Sequence, residues 1–144
     1  MKIANPANTI EIIKKYGFNF QKKYGQNFLI DVHILEKISH ASGLLQNDLA
    51  IEIGPGIGAL TQYLADKAKN VIAIEIDKNL MPMLKETLAD YENISIINAD
   101  FLKIDLEKLI NDSKEKYGEF DNIRIVANLP YYITTPIIMS ILEA

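Results

Sequence analysis

Three short stretches of this chain carry residue types that could bind or transform a small molecule. The first is Glu52-Ile53-Gly54-Pro55-Gly56-Ile57-Gly58, which lies where an apolar run gives way to a helical pattern. Glycine there lets the backbone approach a ligand closely, and the amino terminus of the next helix offers unpaired N–H groups. A nucleotide-like ligand fits that arrangement; the alternative is a tight turn with no ligand. The spacing differs from the dinucleotide fingerprint, because Gly56 and Gly58 are two residues apart, and no Lys-Ser/Thr pair follows to make a phosphate-cradling loop. The second stretch is a pair of acids. Glu75 closes the next apolar run, where a carboxylate can accept both hydroxyls of a ribose. Asp100, in Ala99-Asp100-Phe101, follows the third run and can accept a hydrogen bond from an adenine amine, with Ile76 or Phe101 against the ring. Together these positions describe an adenosine pocket. The third stretch is Asn128-Leu129-Pro130-Tyr131. An adenine amino group is a poor nucleophile, since its lone pair is delocalised into the ring, and it needs acceptors to hold its hydrogens while nitrogen rehybridises. Asn128 Oδ1 and the Leu129 carbonyl can be those acceptors, Pro130 stiffens the turn, and Tyr131 offers a face for a stacked base. An ordinary Asn-x-Pro turn with a core tyrosine is the alternative.

The elements that must position these residues follow from the apolar periodicity. Asn5, Pro6 and the Ile10, Ile12, Ile13 face predict a short helix ended by Gly17. Asp31 caps a second helix, Val32 to Ser42, with Ile34, Leu35 and Ile38 on one face and Gly43 at its end. From residue 49 the pattern alternates. Strands are expected at 49–53, 71–76, 94–97 and 123–127, with helices at 58–67, 78–90 and from Asp105 towards Tyr117 between them. Strict alternation implies a parallel sheet with helices on both faces, and right-handed crossovers leave an α/β doubly wound, Rossmann-like fold. A last helix is expected from Pro136. That would leave the fourth strand at an unpaired edge, as in a sheet truncated after it.

Composition sets the bounds. With 144 residues, 49% hydrophobic and 24% charged, one globular domain with a real core is expected. There is no Cys, no apolar run of membrane-spanning length and no charged-then-apolar leader, so a cytoplasmic protein without a membrane role is the default. His33 and His40 share a helix face with no third ligand in view, which argues for surface or capping roles and no metal. The net charge of -4 argues against a nucleic-acid partner, yet it hides an asymmetry. Residues 1–25 hold Lys2, Lys14, Lys15, Lys22 and Lys23 against Glu11 alone, whereas the rest holds 10 basic and 18 acidic residues. A basic arm over 1–25 precedes an acidic body over 26–144.

Gln26-Asn27-Phe28-Leu29, Glu52 to Gly58, Glu75, Asp100 and the run from Asn128 through Tyr131-Tyr132-Ile133-Thr134-Thr135 to Pro136 together resemble the ribosomal RNA adenine dimethyltransferases, specifically the KsgA-type branch of the small ribosomal subunit. The resemblance covers the chain from about Lys22 onward. The macrolide-resistance methylases of large-subunit RNA share the architecture, but usually carry Ile at the position of Leu129 and commonly lack Pro136. The resemblance implies an S-adenosylmethionine-dependent methyltransferase fold. It also implies transfer of two methyl groups to N6 of each of two adjacent adenines in the 3′-terminal hairpin of small-subunit (16S) rRNA, late in ribosome biogenesis on an immature subunit. By the same resemblance Asn27, Leu29, Gly54, Glu75, Asp100 and Asn128 contact the cofactor, S-adenosyl-L-methionine, and the residue reading adds Gly56, Ile76 and Phe101. Strands completing the sheet and a helical RNA-binding domain are expected beyond residue 144, so that this chain alone binds cofactor without necessarily turning over. Two other readings stand beside it: an N6 methyltransferase of DNA, or one of glutamine amides, with a similar Asn-x-Pro-aromatic turn; and a non-catalytic protein that only docks on an assembling ribosomal subunit.

Overall fold

The computed structural model describes residues 2, 3, 5–16, 32–127 and 137–141. Among the described residues two helices precede the sheet, α1 (Pro6–Tyr16) and α2 (Val32–Ala41). Then come β1 (Leu49–Ile53), α3 (Ala59–Lys67), β2 (Asn70–Glu75), α4 (Met81–Thr87), β3 (Ile94–Asn98), α5 (Leu106–Tyr117), β4 (Ile123–Ala127) and β5 (Ile137–Ile141). The sheet order is β3-β2-β1-β4-β5. β1 runs parallel to both β2 and β4, and β2 runs parallel to β3. These four strands follow the sequence expectation closely, because β-branched runs bounded by turn residues leave few other choices.

Alternation along β1 decides which helices cover which face. Ala50 joins a core with Leu35, Ile38, Leu60, Leu64, Met83 and Leu84, from α2, α3 and α4. Leu49 and Ile51 join Ile72, Ile74, Ile123 and Ile125 on the other face, where Leu106, Leu109 and Ile110 of α5 pack. The sheet is therefore covered on both sides, as parallel sheets require. Burial of a Leu or Ile side chain in such a core contributes roughly 1.5–3 kcal/mol.

Three details differ from the sequence reading. The expected helix over 78–90 is divided into a 3-10 turn, Lys78–Leu80, and the seven-residue α4, since Pro82 fits a first helical turn but not an interior. Ile10 and Ile34, assigned to the apolar faces of α1 and α2, are 55% and 46% exposed. The largest difference is at the end of the chain. Residues 137–141 form a strand, antiparallel to β4 with Ala127 opposite Ile137 and Ile123 opposite Ile141, where a helix was expected. The fourth strand is thus not an open edge. An Ile-Ile-Met-Ser-Ile run has no period that separates strand from helix, and the unpaired N–H and C=O groups along β4 decide the matter by offering partners.

The amino-terminal segment is docked on the body. Ile3 and Ile12 are in the core, and the Ile3 N–H donates to Gln62 Oε1 at 2.8 Å. Gln62 in turn donates from Nε2 to the Thr87 carbonyl at 2.8 Å, so one buried amide ties this segment to α3 and α4. Lys2 pairs with Asp66, and Lys15 with Glu86. Two lysines of the basic stretch therefore meet carboxylates of the acidic body.

At the amino ends of the strands, fully buried Asp48 accepts from the N–H groups of Leu45 (2.9 Å) and Asn122 (3.0 Å) and from Asn122 Nδ2 (3.3 Å). This carboxylate joins the approaches to β1 and β4. Asp48→Ala would strand those donors and should lower stability by about 2–3 kcal/mol. A denaturant midpoint that stays at the wild-type value would show that the joint carries no load.

Candidate functional site

β1, β2 and β3 all run in the same direction, so Gly54, Glu75 and Asp100 emerge along one edge of the sheet. The Gly54 N–H continues the ladder to the Ile74 carbonyl at 2.9 Å, after which the chain turns through Gly54 (φ 70), Gly56 (φ 60) and Gly58 (φ 90). All three lie in the left-handed region that side chains disfavour. At Gly58 space is also short: an added Cβ would sit 2.9 Å from Thr87 Oγ1 and 3.1 Å from Leu88 Cδ2. At Gly56 nothing lies within 4 Å of an added Cβ, so its constraint is backbone conformation beside open space. Gly58 is the N-cap of α3 and its side is closed by α4; Gly56 is the residue that faces outward.

Glu75 fills the corner between this turn and the end of β2. It is 5% exposed, and its carboxylate accepts from Gly56 N–H at 3.3 Å through Oε1 and from Asp77 N–H at 3.0 Å through Oε2. A carboxylate has about four lone-pair positions. Backbone N–H groups take part of that capacity, and the remainder is open to a diol. Burial pushes its pKa up, and the bonds from Asp77 and Gly56 work against that rise. Next to it Ile76 is 67% exposed, an apolar surface at the rim. Asp100 uses one oxygen to cap a 3-10 turn, accepting from the Leu102 N–H at 3.0 Å. Phe101 packs against the Ile72 and Ile74 core on the α5 side. Asn27, Leu29 and Asn128 to Tyr131 lie outside the described residues.

Two residues received no role of their own from the sequence. Glu52 is fully buried in β1; Thr61 of α3 donates to its Oε1, while Oε2 has no hydrogen-bond partner. Desolvation raises its pKa to about 7, helped by the nearby Glu75 carboxylate and opposed by the Thr61 bond. An acid inside an apolar strand, ten or fewer residues before a Thr on the next helix, was the available signal. The other is Asn98, which donates from Nδ2 to the carbonyls of Glu75 (2.8 Å) and Ile76 (3.3 Å). Its signal was an Asn, a poor strand former, closing a β-branched run.

Elsewhere, an open depression of about 710 Å³ lies at the opposite edge of the sheet, between Leu44, Leu45, Asn47, Lys67 and Asp121. It gathers none of the chemistry assembled at the carboxyl edge. Among the described residues no three His, Asp or Glu side chains group as metal ligands, and no helix is long and apolar enough to cross a membrane.

A doubly wound sheet with a left-handed glycine turn after its first strand and a buried acid ending its second defines a Rossmann-like methyltransferase fold. The chain belongs to the ribosomal RNA adenine dimethylase family, whose model matches residues 17–144. Ribosomal RNA small subunit methyltransferase A of Lachnoclostridium phytofermentans is 54% identical over 143 residues, covering 99% of this chain and 48% of that relative. The protein of the same name from Alkaliphilus metalliredigens is 54% identical over 142 residues, with the same coverage of 99% and 48%. This chain therefore spans about half the length of these curated relatives. Among solved structures, the 23S rRNA methyltransferase ErmE superposes with a TM-score of 0.51 at 29% identity, over 69% of this chain and 47% of that one.

Glu52 makes stability depend on pH in a definite direction. Its folded-state pKa of about 7 exceeds the ordinary 4.5, so the folded chain holds the proton more tightly. The resulting stabilisation is complete below about pH 4.5 and is lost as pH rises through about 7. Relative to Glu52→Gln, which cannot titrate, wild-type stability should fall by about 3 kcal/mol across that window. Parallel stability curves for the two proteins between pH 4.5 and 8 would refute the assignment.

Proposed function

We propose that this chain forms the cofactor-binding part of an S-adenosylmethionine-dependent enzyme that dimethylates N6 of adenine in small-subunit ribosomal RNA. The observation that carries the reading is Glu75: a buried carboxylate at the end of β2, held by Gly56 and Asp77 N–H groups, with acceptor capacity beyond them. Family membership supports the same reaction class. The cofactor supplies a methyl group on a positively charged sulfur that departs as a neutral thioether.

The residues divide the work as follows. Glu75 accepts the ribose hydroxyls, Asp100 accepts a hydrogen bond from the adenine amine, and Ile76 or Phe101 contacts the ring. Gly54 and Gly56 admit the backbone to close contact. Asn27 and Leu29 complete the pocket. On the substrate side, the target adenine leaves its stack and rests on Tyr131, with Pro130 fixing the turn. Asn128 Oδ1 and the Leu129 carbonyl hold the two amine hydrogens, directing the nitrogen lone pair at the methyl carbon. Each transfer forms one N–C bond, breaks one S–C bond and releases one proton from N6.

On this reading residues 26–144 are the methyltransferase domain, and residues 1–25 contribute basic charge towards RNA through Lys14, Lys22 and Lys23. The substrate is a pair of adjacent adenines in the 3′-terminal hairpin, met on an immature subunit in the cytoplasm. The branch follows from Leu129 and Pro136, and from the names of the curated relatives.

Calorimetric titration tests the cofactor assignment directly. S-adenosylmethionine should bind saturably, Glu75→Ala should weaken it by at least about tenfold, and NAD should not compete. Equal binding by wild type and variant would remove Glu75 from the site. For catalysis, Asn128→Ala in a protein extended to its relatives' length should cost on the order of a hundredfold or more in methyl transfer, with the fold intact. Near-normal turnover would sink that role.

A further inference from the structure

The ladder between β2 and β3 stops just where the adenosine site begins. Glu75 lies opposite Asn98 in the register, and the last backbone bond between the strands runs from Ala99 N–H to the Glu75 carbonyl at 3.0 Å. Beyond it the two chains part. β2 exits into a turn capped by Asp77, which accepts from Asn79 N–H at 2.9 Å. β3 exits into the turn capped by Asp100, which accepts from Leu102 N–H at 3.0 Å. The Asn98 amide crosses the gap between them. Its nitrogen carries two hydrogens, and they meet two successive carbonyls of the other exit, Glu75 at 2.8 Å and Ile76 at 3.3 Å.

We propose that Asn98 is a positioning residue that sets the separation between the Glu75 and Asp100 carboxylates, and so makes the site selective for a 6-aminopurine nucleoside. This rests on the reading of Glu75 and Asp100 as ribose and amine acceptors. The backbone that carries Glu75 and the exposed Ile76 is tied through one side chain to the strand that reaches Asp100 two residues later. A ligand gripped at its ribose then meets the second carboxylate at a set distance, and the second contact becomes effectively intramolecular. Without the tie the exits move separately, and the ligand must organise them as it binds.

The placement of Asn98 is otherwise unfavourable. Asn is among the poorer strand formers, and the three residues before it are Ser95, Ile96 and Ile97 in a β-branched run. The residue is also solvent-exposed, so its removal opens no cavity and leaves the Ile76 carbonyl to water. A general loss of stability is not expected. The loss should fall on joint recognition of the two ends of the nucleoside.

The test uses S-adenosylhomocysteine and its analogue lacking the 6-amino group, titrated calorimetrically into wild type, Asn98→Ala, Asn98→Asp and Asn98→Gln, each with a thermal melt. Wild type should prefer the amine-bearing ligand by about tenfold or more. In Asn98→Ala the preference should shrink to about twofold or less, with an unchanged melting transition. Asn98→Asp, which keeps the shape but exchanges the donor for an acceptor, should lose the preference equally, and Asn98→Gln should recover part of it. The proposal is overturned if Asn98→Ala keeps the full preference, if it weakens both ligands by the same factor, or if wild type shows no preference. Failure of wild type to bind either ligand would overturn the cofactor reading itself, and the proposal with it.

Discussion

Parallel pairing of β1 with a neighbour on each side constrains everything else in this molecule. Leu49 to Ile53 is matched residue for residue to Asn70 to Ile74 on one flank and to Ile123 to Ala127 on the other. Parallel strands cannot be joined by tight turns, so each connection must cross a face of the sheet as a helix. The carboxyl ends are then left together, free of the crossovers. Gly54, Glu75 and Asp100 are separated by more than twenty residues at each step, and that shared direction is what makes them neighbours.

Two buried acids at this edge are handled differently, and the difference separates support from recognition. Glu75 faces the glycine turn, where a strand end and a turn both present N–H groups, and its carboxylate is stabilised by both. Glu52 faces the helical side with Thr61 as its one partner, and burial leaves it an acid that titrates near neutrality. An unpaired charge in such a place is costly, and protonation relieves the cost. Thr61 stands on α3, directly after the glycine turn, so the Glu52 bond also anchors the helix that follows the turn. Gly58 does the same from the other side, since α4 packs against it too closely for a methyl group.

Charge along the chain acquires a different meaning once folded. The basic stretch at the amino terminus precedes an acidic body in sequence, and in the fold Lys2 and Lys15 meet Asp66 and Glu86 while Ile3 and Ile12 enter the core. Exposed ion pairs of this kind contribute little each, about 0–1 kcal/mol, so the two isoleucines hold the segment and the lysines orient it. Gln62 adds direction, with both ends of its amide engaged.

The sequence by itself determined the order of elements from β1 to β4, the four parallel strands and the residues at their carboxyl ends. Those features are local: β-branched runs, glycines at turns and acids after strands carry their meaning within five or six residues. Family membership was legible for the same reason, since Glu52 to Gly58 and Asn128 to Pro136 are contiguous motifs. Only the tertiary structure decided what depends on a distant partner. Residues 137–141 pair with β4 because its edge offers hydrogen bonds that no local pattern announces. Glu52 holds its proton to about pH 7 because the sheet and α3 exclude water around it. Asn98 matters because β2 and β3 end side by side, a coincidence of register between segments more than twenty residues apart.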